Sequence, residues 1–357
     1  MHRQILITGG AGFVGSSLAL DLCRSFPDTR ITVLDNLHRR GSELNVARLA
    51  GAGVRFVHGD VRCREDLWSL PERPELIIEC SAEPSAQAGL AGSPEFLIQT
   101  NLVGCFHCLE LARECKADFL FLSTSRVYPV ELLNGLAYRE EDSRFVLLDG
   151  QGLPGASAEG VSEAFPLEGA RSLYGMTKLS GELMTAEYAA AYGLRAVVNR
   201  CGLIAGPWQM GKTDQGVVAL WMAAHFFRRR LQYIGFGGAG KQVRDILHIG
   251  DLCELIRGQV REFGRYSGKV FNVGGGLSGS LSLREMTALC AEITGNRIEI
   301  GGSAVDRPAD IRIYVTDHRR VTEFSGWRPR RTPRMVLEDL FEWIRAEQDR
   351  VGPILGG

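Results

Sequence analysis

The composition of the chain is that of an ordinary globular protein, and it excludes several classes of partner. The 357 residues include 41 basic and 42 acidic side chains, so a formal net charge of -1 offers no global basic field to nucleic acid. No apolar run approaches the ~18 residues that a membrane-spanning helix requires. No secretory signal follows Met1, so we expect no membrane partner and a cytoplasmic location.

Apolar segments that suit buried strands alternate with helical patterns along the first part of the chain. Such nearly continuous apolar runs are typical of strands covered on both faces, and they occur at Gln4–Thr8, Arg30–Leu34, Val54–His58, Leu76–Ile78, Phe119–Ser123 and Ala196–Arg200. Helical periodicity predicts helices over Phe13–Arg24, Pro94–Cys115 and Leu173–Tyr192. This alternation predicts an α/β fold with a doubly wound parallel Rossmann sheet.

Several residues mark the ends of the predicted helices. Ser93 before Pro94 indicates an N-cap followed by proline at the first helical position. Gly193 suits the C-terminal end of the helix before it. Ser282 with Glu285 has the spacing of a capping box ahead of another helix.

A glycine-rich turn follows the first strand and opens a helix. Gly9 allows the tight turn, Gly12 allows a pyrophosphate to approach the backbone, and Gly15 allows the helix to pack closely on the strand. The first helical turn, which includes Phe13 and Val14, supplies amide groups and a partial positive charge to a phosphate. Because the loop lies between a strand and a helix, the sequence predicts a dinucleotide site.

The end of the second strand favours NAD as the dinucleotide. Asp35 lies 20 residues after Gly15, where a carboxylate accepts hydrogen bonds from the ribose hydroxyls and repels a 2′-phosphate. Arg39 and Arg40 would suit a phosphate instead, so NADP stays an alternative. Asp60, after the third strand, either meets the adenine amino group or is only a turn residue.

The cysteines indicate a reducing compartment and no metal site. The chain has nine of them, an odd number. Cys105 and Cys108 form a C-x-x-C pair, but no second pair follows at zinc-site spacing. Both lie in an apolar helical pattern, so we expect core thiols.

A tyrosine and a lysine four residues apart form the candidate catalytic pair. Tyr174 and Lys178 lie on one face of a predicted helix. A free tyrosine has a pKa of about 10, and a neighbouring ammonium lowers it by stabilising the phenolate. The strand end Ser123-Thr124-Ser125 supplies a hydroxyl to hold a substrate oxygen. Alone, the pair is more typical of an exposed helical face; with the glycine loop and the Ser/Thr strand end it indicates a catalytic site.

Together these motifs resemble the extended short-chain dehydrogenase/reductase superfamily along essentially the whole chain. Within its branch of NDP-sugar epimerases and dehydratases, the chain most resembles the CDP-paratose 2-epimerases. The matching segments are Asp35-Asn36-Leu37 with Arg39-Arg40-Gly41, Asp214-Gln215-Gly216, Gly240 to Asp245 before Leu247-His248, and Asn272 to Gly275 with Ser280 to Leu283.

The resemblance implies roles for further residues. The family's catalytic hydroxyl lies four positions before the tyrosine of a V-Y motif, here Tyr128, which selects Thr124 to act with Tyr174 and Lys178. Residues implied at the cofactor, besides the catalytic pair and those above, are Asn36, Val61, Ser81, Ala82 and Asn101. Residues implied at the substrate are Glu83, Ser125, Arg126, Gln215, Arg244 and Arg307. For Arg244 and Arg307 the alternative to a diphosphate clamp is surface ion pairing with Asp245 and Asp310.

The sequence departs from the family in three places. Glu79 ends the fourth strand where histidine is usual, a change that we expect to affect mainly packing beside the nicotinamide. The segment Val130–Arg171 is longer than usual and shows no clear periodicity, so it is either an active-site border or a surface loop. Ser125 and Arg126 replace the Asp-Glu pair of the 4,6-dehydratases, which disfavours elimination of water.

The resemblance implies an NAD-dependent epimerase of nucleotide-diphosphate sugars. It favours a CDP-sugar and carbon C2, inverted by oxidation to a ketone and re-reduction with the same cofactor. The alternatives are a UDP-sugar 4-epimerase, a nucleotide-sugar reductase and a non-catalytic NAD-binding regulator. We expect the cofactor domain at residues 1–203 and 240–273, and a smaller mixed α/β substrate domain at 204–239 and 274–357. The helices Pro94–Cys115 and Leu173–Tyr192 resemble a pair that forms dimer interfaces, so we expect a homodimer or homotetramer.

Overall fold

The computed structural model describes residues 2–211 and 215–356, which divide into two compact units. The first unit comprises Met1–Thr124, Leu173–Arg200 and Leu252–Val270. The second comprises Ser125–Ser172, Cys201–Asp251 and Phe271–Gly357. The chain therefore passes between the units several times. The assignment of cofactor and substrate to separate domains stays a prediction.

Strands and helices are numbered here in chain order. The strands are β1 (Gln4–Thr8), β2 (Arg30–Asp35), β3 (Arg55–His58), β4 (Leu76–Glu79), β5 (Asp118–Thr124), β6 (Tyr138–Glu140), β7 (Phe145–Leu147), β8 (Ala156–Ser157), β9 (Gly160–Val161), β10 (Ala196–Cys201), β11 (Leu203–Ala205), β12 (Leu231–Ile234), β13 (Val243–His248), β14 (Lys269–Val273), β15 (Ser280–Ser282), β16 (Ile300–Ser303) and β17 (Ile313–Tyr314). The α-helices are α1 (Phe13–Ser25), α2 (Glu43–Gly51), α3 (Arg64–Trp68), α4 (Glu95–Ile98), α5 (Gly104–Cys115), α6 (Val130–Asn134), α7 (Leu173–Tyr192), α8 (Val217–Phe226), α9 (Ile249–Arg261), α10 (Phe263–Tyr266), α11 (Leu283–Thr294), α12 (Arg319–Ser325), α13 (Pro333–Ala346) and α14 (Gln348–Leu355).

The first unit is built on a seven-stranded sheet in the order β14-β10-β5-β4-β1-β2-β3. The pairs β1–β2, β2–β3, β1–β4 and β4–β5 are parallel. Strand order reverses at β1, which lies between β2 and β4. Leu6, Ile77 and Phe119 are at most 2% exposed in these strands. The predicted doubly wound Rossmann sheet is therefore confirmed, and its order reversal marks the edge where ligands bind in such sheets.

The helix predicted over Pro94–Cys115 is interrupted. It consists of α4, a π-helical turn at Gln99–Val103, and α5. The helix cap also differs from the prediction. Pro94 is itself the N-cap, and the Ser93 hydroxyl accepts a hydrogen bond from the Glu95 amide at 3.2 Å. Single π-helical turns inside α-helices occur frequently at functional sites.

The helix α7 has the predicted bounds and 20 residues. It ends at Tyr192 because Gly193 takes a left-handed φ of 69° and donates its amide to the Ala189 carbonyl at 3.1 Å. Within residues 2–211 and 215–356, no helix is both long and apolar enough to cross a membrane.

Cys105 and Cys108 lie in the core of the first unit, as predicted. Both are completely buried, in a cluster with Leu109, Phe119 and Phe121. In the described part of the chain, no three His, Cys, Asp or Glu side chains are grouped so that they could hold a metal ion.

The second unit has a smaller mixed sheet and a layer of helices. The strand β13 pairs in parallel with β11 and β17 and antiparallel with β15. The helices α8, α11 and α13 pack on one another. The capping box of α11 is present, because Ser282 and Glu285 each bond the other's backbone amide. The stripe of α13 that includes Leu340 and Ile344 is buried, as its spacing predicts.

The segment Val130–Arg171 contains more regular structure than its sequence indicates. It begins with α6, and two short antiparallel pairs follow, β6–β7 and β8–β9. Tyr128, just before it, donates its hydroxyl to the Asn272 side chain at 2.8 Å. Phe165 is 2% exposed and stacks edge-on against Tyr128. The segment is therefore packed into the second unit, by side chains that carry no periodic signal.

Candidate active site

Three of the proposed site residues, and also Glu79, lie at the carboxyl ends of neighbouring strands. Gly9 follows β1, Asp35 ends β2, Glu79 ends β4 and Thr124 ends β5. In the register, Thr8 lies beside Glu79. Because parallel strands share one carboxyl edge, these residues lie along a single edge of the first unit's sheet, at its order reversal.

The glycine turn at this edge fits a pyrophosphate. A Cβ on Gly9 would lie 2.8 Å from the Cys80 carbonyl oxygen, and a Cβ on Gly15 only 2.3 Å from that of Gly9. A Cβ on Gly12 would meet a single described atom within 4 Å, at 3.1 Å. No side chain caps the N terminus of α1. The turn therefore leaves open backbone at Gly12 and the helix end, where Phe13 and Val14 begin the first turn.

The carboxylates near this turn are held by the surrounding chain. The two Asp35 oxygens accept the amides of Ala11 at 3.0 Å and Leu37 at 2.8 Å. Burial raises the pKa of Asp35, although these amides counteract it. The Asn36 amide donates to Asp60 at 2.8 Å. Burial alone would raise the pKa of Asp60, but the Arg62 guanidinium and the Asn36 amide lower it to about 2.

The remaining residues implied at the cofactor lie in the loops around these strand ends. The Arg39 carbonyl accepts both the amide and the hydroxyl of Ser42, while the Arg40 side chain is exposed. The Val61 carbonyl contacts the His107 ring nitrogen at 2.8 Å. Gly104 leaves room for Val61, because a Cβ there would lie 2.6 Å from its side chain.

The loop after β4 contains a buried hydroxyl without a hydrogen-bond partner among the described residues, and the Asn101 side chain holds the backbone of this loop in place. Ser81 is 7% exposed, and among the described residues its buried hydroxyl has no hydrogen-bond partner. Ala82, the next residue, is half-buried. Asn101, in the π-helical turn, bonds both the amide and the carbonyl of Glu83, at 2.8 and 3.1 Å, and the Thr177 hydroxyl at 3.1 Å. The open glycine turn and the unpaired Ser81 hydroxyl both fit a bound dinucleotide.

The candidate catalytic side chains are all buried in the first unit. Tyr174 is 9% exposed, Lys178 is 3% exposed and Thr124 is 8% exposed. Tyr174 and Lys178 lie one turn apart on α7, and Thr177 between them donates to the Tyr174 carbonyl at 2.8 Å. The predicted alternative of an exposed helical pair is therefore wrong.

Ser123, which precedes Thr124 on β5, is already engaged. Its hydroxyl donates to the Glu182 carboxylate, which also forms an ion pair with Arg200 at 2.7 Å. Both members of that ion pair are 7% exposed. Ser123 therefore already has a partner inside the first unit, and the assignment of the substrate hydroxyl to Thr124 stays a prediction.

Glu79 is the residue that sequence reasoning misjudged. Its carboxylate lies 3.3 Å from the Lys178 ammonium, and both side chains are at most 4% exposed. The ammonium also lies 4.6 Å from the centre of the Phe121 ring. Burial alone would lower the pKa of Lys178, but Glu79 and Tyr174 raise it. Glu79 is thus an ionic partner of Lys178 rather than a packing change. The available signal was an acidic residue ending an otherwise apolar strand.

The three arginines implied at the substrate all lie in the second unit, around residues 306–310. Arg244 donates to Asp310 at 3.0 Å and to the Ile311 carbonyl at 2.6 Å. Arg126 donates to the Ala309 carbonyl at 3.0 Å, and the half-buried Arg307 belongs to the loop itself. Burial lowers the pKa of Arg244 to about 10, although Asp310 counteracts it. At neutral pH the Arg244 side chain is therefore a cation.

The second unit also holds Ser125 and Gln215, whereas Glu83, the remaining residue implied at the substrate, lies in the first unit. Ser125 is 8% exposed, and its carbonyl accepts the Tyr128 amide at 3.3 Å. Gln215 is half-buried just before α8, whereas the neighbouring Asp214 of the same motif lies outside the described residues. Asp245 is completely buried and accepts the Gly276 amide at 3.0 Å. Arg244 therefore makes its ion pair with Asp310, not with Asp245.

The chain is similar to known proteins along nearly its whole length. A CDP-paratose 2-epimerase from Salmonella typhi is 28% identical over 95% of this chain and 98% of its own. A dTDP-glucose 4,6-dehydratase from an Actinoplanes species is 30% identical over 97% and 98%. A solved double mutant of DesIV, a dTDP-glucose 4,6-dehydratase from Streptomyces venezuelae with NAD bound, is 26% identical over 98% and 99%, with a TM-score of 0.79.

A family model matches the part of the chain that contains the candidate site. The model of the NAD dependent epimerase/dehydratase family matches residues 5–274, well over half of the chain. That range includes the glycine turn, Glu79, Thr124, Tyr174 and Lys178. The chain therefore belongs to the NAD dependent epimerase/dehydratase family and is an enzyme that uses NAD.

Proposed function

We propose that this enzyme is a nucleotide-sugar epimerase that inverts a sugar carbon by transient oxidation to a ketone. The observation that carries the proposal is the buried pair Tyr174 and Lys178, in the same unit as the Thr124 strand end and the open glycine turn. Nucleotide sugars are the substrates named for the relatives in the comparisons above. The roles given to individual residues below are part of the proposal.

The chain's own residues supply the proton chemistry. When bound, NAD⁺ accepts a hydride from the sugar and returns it. Tyr174 takes the proton from the sugar hydroxyl and later gives it back. Lys178 stabilises the phenolate form of Tyr174, and Thr124 holds the sugar oxygen by a hydrogen bond. Between the two steps the ketone presents its other face, which inverts the centre.

Arginines of the second unit suit the diphosphate of the substrate. The planar guanidinium forms paired hydrogen bonds with phosphate oxygens. Arg126, Arg244 and Arg307 meet around one loop, where Arg244 forms an ion pair with Asp310. We assign Gln215 to the nucleoside and Glu83 and Ser125 to the sugar, as the resemblance implies.

The favoured substrate is a CDP-sugar inverted at C2. Its support is the similarity to the Salmonella typhi epimerase and the motifs shared with that family. Ser125 and Arg126 provide no acid for elimination, which disfavours a 4,6-dehydratase despite the 30% identity to one. A UDP-sugar 4-epimerase is the second candidate for the substrate.

Incubation with nucleotide sugars followed by NMR tests the proposal. CDP-, UDP-, GDP- and dTDP-sugars are each supplied to the purified enzyme without added NADH. Epimerisation of one of them at a single carbon is the expected result. Turnover that requires stoichiometric NADH would indicate a reductase, loss of water would indicate a dehydratase, and no turnover with any class would favour a regulator.

The same reaction in D₂O tests the oxidative route. Hydride transfer retains the original hydrogen on the inverted carbon, so we expect no deuterium there. The alternative route removes a proton beside an existing carbonyl and exchanges it with solvent. Stoichiometric deuterium at the inverted carbon would contradict oxidation and re-reduction, whatever the sugar.

A further inference from the structure

A buried carboxylate faces the catalytic lysine from the sheet. Glu79 ends β4, in the middle of the sheet between β1 and β5, and is 1% exposed. Its distance of 3.3 Å from the Lys178 ammonium is that of a direct ion pair. The titratable groups around this ammonium are Glu79 on β4, Tyr174 on α7 and two thiols on α5, Cys105 and Cys108.

The thiols contribute no charge near neutral pH. Burial raises the pKa of Cys105 and of Cys108, so both stay protonated. Among the described groups named above, those that can carry a charge here are therefore the Glu79 carboxylate, the Lys178 ammonium and the Tyr174 phenol. With Glu79 ionised, the ammonium is already neutralised while Tyr174 keeps its proton.

We propose that Glu79 is a positioning residue that holds the Lys178 ammonium against the sheet and, by compensating its charge, makes Tyr174 harder to ionise than beside an unpaired lysine. The inference rests on the assignment of Tyr174 as the base in the proposed function. It concerns the acidity of that base and needs no particular sugar.

The electrostatic argument has a definite sign. An ammonium near a phenol lowers the pKa of the phenol, and a carboxylate near both opposes this effect. In a buried place neither charge is well screened by water. When the carboxylate is removed, the phenolate becomes the nearest counter-charge for the ammonium, so Tyr174 loses its proton at lower pH.

Titration of Tyr174 in the NAD-loaded protein measures this effect directly. Glu79→Gln keeps the shape of the side chain and removes its charge. Tyrosinate absorbance is followed against pH for the wild type and for Glu79→Gln, each minus its Tyr174→Phe counterpart, which isolates one of the eight tyrosines. We expect the midpoint to fall by about one pH unit or more in Glu79→Gln.

A second neutral replacement guards against a variant that fails to fold. Glu79→His introduces the residue usual at this position in the family that the sequence resembles. Histidine is neutral above its pKa of about 6.5, so it carries no charge in the range where tyrosine titrates. The same downward shift is expected. Glu79→Asp keeps the charge and should leave the midpoint closer to the wild-type value than either neutral variant does.

The ion pair of Glu182 and Arg200 provides the matched control. Glu182 lies on the same helix, one turn beyond Lys178, and is similarly buried. Glu182→Gln breaks a buried ion pair without removing the partner of Lys178. We expect it to reduce stability as Glu79→Gln does, while the Tyr174 midpoint stays near the wild-type value.

Each outcome of the titration decides the inference. An unchanged midpoint in Glu79→Gln and Glu79→His would overturn it, as would an equal shift in Glu182→Gln. An upward shift would show that Lys178 loses its proton before Tyr174, and would also overturn it. Because no substrate is present, failure of every sugar in the NMR experiment would leave this result standing.

Discussion

The phenol of Tyr174 provides the most direct residue-scale test of the mechanism. Tyr174→Phe removes one oxygen from a side chain that is 9% exposed and retains its ring packing. We therefore expect unchanged unfolding and NAD content, and a loss of turnover of about 10²-fold or more, the usual scale for an acid–base group. Steady-state rates on the sugar found by NMR give the measurement. Near-wild-type turnover would remove Tyr174 from the mechanism.

The arginines of the second unit give a prediction that separates binding from stability. Arg307→Ala should weaken nucleotide-sugar binding by about 2–5 kcal/mol if the phosphate contact is buried. Arg244→Ala should weaken binding and also lower the free energy of unfolding, because it removes a donor from the Asp310 carboxylate and from the Ile311 carbonyl. Calorimetry and urea unfolding measure the two effects. Unchanged affinity in both variants would dismiss the clamp.

The sequence predicted which residues belong to the candidate site better than it predicted which side chains contact one another. Tyr174 and Lys178 could be paired from their spacing, because a four-residue separation fixes a shared helical face. Glu79 and Lys178 are 99 residues apart, and no local pattern joins a strand end to a helix that distant in sequence. The same reason explains why the sequence did not identify the partner of Arg244, which is Asp310, 66 residues away, and not its neighbour Asp245.

The π-helical turn at Gln99–Val103 is an element with a testable role. It holds Asn101, which joins the Glu83 backbone to Thr177 on α7 through three hydrogen bonds. Asn101→Ala removes these three hydrogen bonds and should lower the free energy of unfolding by about 1–3 kcal/mol. It should also speed NAD loss, because the loop that Asn101 holds in place contains Ser81, which we expect at the cofactor.

A buried amide pair elsewhere in the first unit controls for this effect. Asn199 on β10 exchanges hydrogen bonds with Gln259 on α9 at 2.8 and 2.9 Å. Asn199→Ala should destabilise the protein without changing NAD retention after gel filtration. Equal NAD loss in both variants would mean that Asn101 acts only through global stability.

Elements were predictable where one periodic signal dominated. All six predicted strands are present, with ends that shift by one residue at most, because each is a nearly continuous apolar run. All of them except the edge strand β3 are mostly buried. The short helices α2 and α3 were not predicted, since the sequence around them offers few apolar positions in a helical period. The π-helical turn could not be predicted either, because it retains the apolar face of the surrounding helix.

At the scale of the molecule, exposed apolar side chains on α5 and α7 are relevant to the homo-oligomer that we expect. Leu183 is 61% exposed, Tyr192 is 60% exposed and Phe106 is 43% exposed. These two helices pack on each other within the first unit and are the pair that we expect in a dimer interface. Contiguous patches of exposed apolar groups are typical of interaction surfaces, and these three side chains are the ones that we expect to form such a patch.

Light scattering at micromolar concentration tests the predicted assembly. The wild type should have at least the mass of a dimer, and Leu183→Arg should have the mass of a monomer, because it places a charge in the interface. Met335→Arg is the control, since Met335 is 44% exposed on α13 in the second unit. A monomeric wild type, or equal effects of the two variants, would contradict this interface.

The interleaving of the two units constrains how the protein is made. The first unit is assembled from three stretches of chain, the last of which ends at Val270. During synthesis its sheet cannot gain all of its neighbours until most of the second unit has left the ribosome. Contacts between distant segments slow folding, and partly built sheets expose unpaired edges. A single truncation can therefore isolate neither unit. We also expect the yield of folded protein to depend on chaperones more strongly than for a single domain of the size of either unit.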